Sequence, residues 1–247
     1  MPSPSDLPNG RAAAYHDNSW HGDDTYLSRE VNRHIVLDAV LDGATGRGGA
    51  VASGYAAEVL CGATVETVDE LTTLLEEANR QLFQRGKGRF FLSTASVALK
   101  VGSVLHVVSV GDSPVFLFRG RDTLPLTATA TGPTFLGIAN SLGRAERLLY
   151  KTTCISLQAQ DRLVLATDGL VENVAPCELA ALVDDAPSPE EAVSALRQLL
   201  WEKKRQNKGR VDDHSSFRRD DATAIIRYIG LSPSSEPSGA PAHAKIV

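Results

Sequence analysis

The chain has 247 residues, 43% of them hydrophobic and 22% charged, with 25 basic against 30 acidic residues and a formal net charge of −5. That is the composition of an ordinary soluble globular protein, and the negative balance offers no broad basic face for a nucleic acid or an anionic membrane. No stretch approaches the ~20 apolar residues of a membrane span, and the N-terminal MPSPSDLPNGRAAAYHDNSW lacks the apolar centre of a secretory signal.

Residues 1–19, rich in Pro, Ser, Asn and Ala without period, read as a flexible arm, and residues 231–247 as a disordered tail of the same character. Between them neither a linker nor an internal repeat is visible, so 20–230 is expected to be a single domain. Thr25 to Arg29 predicts a short strand and His34 to Leu41 a nearly continuous apolar one. A Gly-rich turn, Gly43 to Gly49, then feeds a helix over Ala50 to Leu60. Val68, Leu71, Leu75, Ala78 and Leu82 fall on one face of a second helix, ended by Gly86 and Gly88.

The period then changes. Phe91 to Leu99, Val104 to Val110 and Val115 to Arg119 are β-rich runs separated by short turns, the pattern of an antiparallel meander. Leu148 to Leu157 and Asp161 to Ala166 extend the strands. Ser188-Pro189-Glu190-Glu191 is a capping box opening a helix through Val193, Leu196 and Leu200, and Ala222 to Ile229 is the last strand. Strands without a helix after each one exclude a parallel βαβ sheet and predict two stacked antiparallel sheets with helices outside. Three cysteines without metal-ligand spacing point to a reducing, cytoplasmic setting, with Cys61 and Cys154 expected to be buried thiols.

The chemistry is expected at a set of aspartates placed at strand ends. Asp23 and Asp24 precede the first strand, Asp42 ends the second, and Asp112 follows Val104 to Val110. Asp168 follows Leu163 to Thr167, and Asp220 and Asp221 open the last strand. Carboxylates converging at a sheet rim repel one another unless a cation neutralises them, and hard divalent cations take oxygen ligands. Each alone is a common turn residue, and spacing does not establish that the strand ends converge.

In order, the chain reads Gly22-Asp23-Asp24-Thr25-Tyr26-Leu27, Ala39-Val40-Leu41-Asp42-Gly43, Ser93-Thr94-Ala95, Val110-Gly111-Asp112-Ser113, Ala166-Thr167-Asp168-Gly169 and Asp220-Asp221-Ala222-Thr223. This ordered set resembles the type 2C, metal-dependent Ser/Thr protein phosphatase (PPM) family over about residues 20–230. The resemblance implies an α+β fold, a four-layer α-β-β-α sandwich of two antiparallel sheets flanked by helices, with two Mn²⁺ or Mg²⁺ ions in a cleft at one end. It implies that Asp42 bridges the ions, that Gly43 offers its carbonyl, and that Asp168 and Asp220 are direct ligands. Asp24, or Asp23 through water, would complete the set, and Asp112 would help hold a third, weaker ion. The implied reaction is hydrolysis of phosphoserine or phosphothreonine by a hydroxide activated between two metals, without a covalent intermediate. The implied partners are phosphorylated proteins, a Ser/Thr kinase or its substrates among them.

The chain departs from the family pattern at several points. Ala44 stands where some members carry a histidine general acid, Ser19-Trp20-His21 where many carry a phosphate-gripping arginine, and Pro114 where an arginine often follows Asp112-Ser113. Arg47 is the candidate expected to replace that grip. The glycines of 43–49 match neither a P-loop nor Gly-X-Gly-X-X-Gly, which excludes a nucleotide-binding turn. Lys203-Lys204-Arg205, Lys208, Arg210, Arg218 and Arg219 read either as a solvated helix end or as a cationic rim drawing phosphorylated segments toward Asp220. The alternative to an enzyme is an inactive phosphatase-like adaptor that binds a phosphoprotein or kinase.

Overall fold

The computed structural model describes residues 7–127, 140–207 and 217–230, together with the backbone of 245–246. The first half contains β1 (Arg11–Asp17), β2 (Thr25–Asn32), β3 (Ile35–Leu41), α1 (Gly49–Gly62), α2 (Val68–Gly86), β4 (Ala95–Val101) and β5 (Val104–Val110). Then come β6 (Val115–Arg119), β7 (Asp122–Pro125), β8 (Lys151–Ser156) and β9 (Arg162–Ala166). The rest is α3 (Asp168–Val171), α4 (Pro176–Asp185), α5 (Pro189–Gln206), β10 (Ala222–Tyr228) and β11 (Lys245–Ile246). One sheet has the order β1-β10-β9-β6-β7 and the other β11-β2-β3-β4-β5-β8, with antiparallel pairing throughout.

The continuous apolar strands follow from burial on both faces. Leu37, Ala39 and Leu41 of β3 pack in the layer under α1 and α2, whereas Val40 joins the layer between the sheets. Likewise Ala224, Ile226 and Tyr228 of β10 face α4 and α5, and Ile225 faces the opposite sheet. Three apolar layers therefore separate four layers of structure, as the expected α-β-β-α sandwich requires. Helix α2 carries the reciprocal Thr67–Glu70 cap, and Ser188 accepts from the Glu191 N–H at the start of α5. Among the described residues no helix is long and apolar enough to cross a membrane.

Several expectations are corrected. Arg11–Asp17, placed in a flexible arm, is an edge strand paired along its length with β10, from Arg11↔Tyr228 to Asp17↔Ala222. Its three alanines give little β signal, and it is specified by the partner edge and by Tyr15 packing in the helix-side layer. Of the tail, only Lys245–Ile246 is described, and it pairs with Ser28 and Leu27 of β2; the remainder lies outside the described residues. Strand β4 begins at Ala95 rather than Phe91, because Phe91 takes a left-handed backbone (φ 56). Helix α4 was not expected. Pro176 opens it and Glu178 accepts from the Ala175 N–H, the side-chain half of a cap that the sequence spells without Ser or Thr. Cys154 is exposed, because it lies on the edge strand β8, and Cys61 is half-buried.

Candidate active site

Both sheets end at one cleft of about 210 Å³, lined by Asp42, Gly43, Ala44, Thr45, Ser93, Thr94, Asp112, Ser141, Asp168 and Asp220. Asp42 follows β3 and Asp112 follows β5 of one sheet; Asp168 follows β9 and Asp220 precedes β10 of the other. The convergence that spacing could not establish is thus a consequence of sheet topology.

The Asp42–Gly43 segment is held rigidly. The Asp42 N–H donates to Thr94 Oγ1 (3.1 Å), and the Asp42 carbonyl accepts from Thr94 N (2.7 Å) and Ser93 Oγ (3.0 Å). A Cβ on Gly43 would lie 2.3 Å from the Gly49 carbonyl carbon and 2.6 Å from the Asp23 carbonyl oxygen. Only glycine lets the turn after β3 fold back this closely onto the start of α1. Gly169 is constrained in the same way, its added Cβ meeting the Asp221 carbonyl oxygen at 2.0 Å. That contact seats Asp168 beside Asp220.

The acidic pairs divide their work. Asp24 is buried behind the cleft, where its Oδ2 accepts from the hydroxyls of Thr167 and Thr223, each at 2.8 Å. Asp23 Oδ1 accepts from the Ala50 N–H (2.9 Å) at the first turn of α1. Neither residue lines the cleft. Asp221, to which the resemblance gave no role, accepts from the backbone N–H groups of Trp20 and His21 (3.0 Å each) and of Asp23 (2.9 Å). Adjacent aspartates at a strand start point in opposite directions, so one faces the cleft and the other fixes the loop; that alternation was the available signal.

The electrostatics are those of uncompensated carboxylates. Burial, then the charges of Asp168 and Asp24, pushes Asp42 well above the usual carboxylate range. Burial also raises Asp24 to about 7, against the two threonine hydrogen bonds, and raises Asp168 to about 6 with the help of the Asp112 charge. Asp112 is raised by burial. Burial would raise Asp221 as well, but its backbone N–H donors hold it below the usual range. The proximity of Asp168 raises Asp42 further, so of the two Asp42 is the one that more readily keeps a proton. In that arrangement no three acidic, imidazole or thiol groups among the described residues surround a single point at ligating distance.

The basic residues stand outside the lining. Arg47 donates from Nη1 to the Arg89 carbonyl (3.1 Å) and is not part of the cleft wall, so the expected replacement for the phosphate grip is turned aside. On the other lip, Lys204 and Arg219 stack over Trp20 at 4.7 and 5.7 Å, and His21 Nε2 lies 3.9 Å from Asp220 Oδ1. Lys203 and Arg218 are instead paired with Glu178 and Glu172.

Fold and cleft together define a protein of the PP2C-like phosphatase class. The sequence model of the stage II sporulation protein E (SpoIIE) family matches residues 44–226, and the chain belongs to that family. The chain is 28% identical over 140 residues to a probable protein phosphatase 2C, BIPP2C1, of Oryza sativa subsp. japonica, an alignment covering 57% of this chain and 24% of the rice protein. It therefore spans about a quarter of the length of the curated relatives it matches. Serine/threonine phosphatase Stp1 from Staphylococcus aureus shares the fold with a TM-score of 0.75 at 20% identity, over 92% of this chain and 98% of that one. RsbX, solved in complex with magnesium, shares it at 0.64 and 18%, over 88% and 94%.

Proposed function

We propose that the chain is a metal-dependent protein serine/threonine phosphatase that hydrolyses phosphoserine and phosphothreonine with Mn²⁺ or Mg²⁺ in the cleft. The observation that carries this reading is that four carboxylates from both sheets share one cleft whose described lining contains no Lys, Arg or His. The donor set fits such ions: it is made of hard oxygens, and the four carboxylates in one cleft are charge that a cation would neutralise.

Asp42, Asp168 and Asp220 would hold two ions with the Gly43 carbonyl, and Asp112 would help hold a third, weaker one. When bound, the ions supply Lewis-acid activation of water and neutralise the charge of the transferring phosphoryl group. The protein's own part is positional. Ser93 and Thr94 fix the Asp42 backbone, and Thr167 and Thr223 fix the buried Asp24 carboxyl behind the ligands. Asp23 ties the loop before β2 to α1 and so holds the Gly43 turn in register. The substrates would be phosphorylated proteins, a Ser/Thr kinase or its targets among them.

The test is release of phosphate from a phosphoserine peptide by the purified chain, with Mn²⁺ and with chelator, beside Asp168→Asn. Turnover that requires the metal and disappears in the variant is expected. Full turnover in chelator would contradict the proposal.

A further inference from the structure

The turn that carries the cleft's Ala44 and Thr45 ends in Arg47, and the segment that carries its Ser141 continues to Arg144. Backbone pairing brings these segments together around residues 86–93. Gly43 bridges Ser93, Ser93 bridges Leu142, and the Phe91 N–H donates to the Arg47 carbonyl (2.6 Å). Gly88 adopts φ +72, and a Cβ there would meet the Arg144 carbonyl oxygen at 2.5 Å, so the two backbones touch.

The two guanidiniums then dock on consecutive carbonyls. Arg144 Nη1 donates to Gly88 O at 2.6 Å, and Arg47 Nη1 donates to Arg89 O at 3.1 Å. Both side chains belong to exposed residues, as does Arg89 between them, and none of the three is ion-paired with a carboxylate among the described residues. Each guanidinium has five N–H donors in a rigid fork. Both are anchored on the same short strip of backbone, Gly88–Arg89, and an anion reaching that strip would take up donors that the carbonyls leave unused.

Resting on the phosphatase reading, we infer that Arg47 and Arg144 form a clamp for an anionic side chain that flanks the phosphoresidue of the substrate. The clamp stands beyond the lip of the cleft, so it does not grip the phosphate being hydrolysed. An extended peptide advances about 3.3–3.6 Å per residue, so residues two and three along the chain reach roughly 7–11 Å from the phosphoserine. The substrate class is therefore an acidic or multiply phosphorylated segment. This face, unlike the chain as a whole, is locally cationic, which suits such a segment and disfavours a basic one.

The test uses fluorescence anisotropy of labelled phosphoserine peptides on the full chain in an Asp168→Asn background with Mn²⁺. The peptides differ only two and three residues to either side of the phosphoserine, which carry Ala, Glu or a second phosphoserine. Glu or phosphoserine should bind about five- to tenfold more tightly than Ala on one side, and the comparison of the two separates a carboxylate from a phosphate preference. The advantage should fall toward onefold in Arg47→Ala/Arg144→Ala and return only in part in Arg47→Lys/Arg144→Lys, which keeps the charge without the fork. Equal affinity for all peptides, or an advantage that survives the double alanine variant, would overturn the clamp. Phosphate release by the wild-type chain is scored separately, so loss of the phosphatase reading and loss of the clamp give different results.

Discussion

Strand β3 carries one carboxylate inside the sandwich and leads directly into another. Asp38, 1% exposed, receives Arg227 Nε at 2.5 Å and Nη2 at 2.8 Å from the opposite sheet, and Ser28 Oγ at 2.6 Å. Asp42, just past the end of the same strand, has three other carboxylates around its cleft and no basic side chain in the described lining. The first arrangement ties the sheets together, with charge and hydrogen bonds matched within the protein. The second leaves negative charge for something outside the chain to match. The two sites differ in compensation: the buried Asp38 is matched within the protein, and the half-buried Asp42 is not.

That comparison can be broken by exchanging charge for amide at each site. Asp42→Asn or Asp168→Asn should lower phosphatase turnover by at least roughly a hundredfold while leaving the thermal melt unchanged or raised, since it removes repulsion. Asp38→Asn should do the reverse. It leaves Arg227 buried without its counter-charge and should cost roughly 3–5 kcal/mol of stability in a urea titration. If Asp42→Asn lost as much stability as Asp38→Asn, the two sites would not differ in compensation.

A smaller effect sharpens the structural end. Lys100, 1% exposed, donates to the Leu7 carbonyl (2.8 Å) and Asn9 Oδ1 (3.1 Å) and has no carboxylate partner among the described residues. Burial, then the Arg227 charge, lowers it to about 8 from 10.5. Between those values the unfolded chain keeps a proton that the folded chain has released, so stability should rise with pH from about 8 toward 10. Above 10, Tyr15, raised by burial to about 12, acts in the opposite direction. Denaturant midpoints across pH 8–10 should show the rise in the wild type and lose it in Lys100→Met.

Much of this was legible in the sequence where periodicity is strong. The helical stripe from Val68 to Leu82 and the doubly buried runs of β3, β5 and β10 carry their own signal. Strand β1 was not legible, because Arg-Ala-Ala-Ala gains its conformation from the edge of β10 rather than from its own residues. At the site, the strand-end aspartates were legible as residues, but their meeting depends on the crossovers that put β9 and β10 opposite β3 and β5. The turning of Arg47 away from the cleft depends on side-chain direction that the sequence does not encode locally, whereas alternation at a strand start was a local signal for the separate tasks of Asp220 and Asp221.

Whether the cleft's uncompensated carboxylates hold divalent cations is tested, without relying on turnover, by calorimetric titration of Mn²⁺ into the purified chain and into Asp42→Asn. The account predicts saturable binding to the wild type, with a raised melting temperature, and a loss of both in the variant. An absence of binding to the wild type, or equal binding to Asp42→Asn, would contradict it.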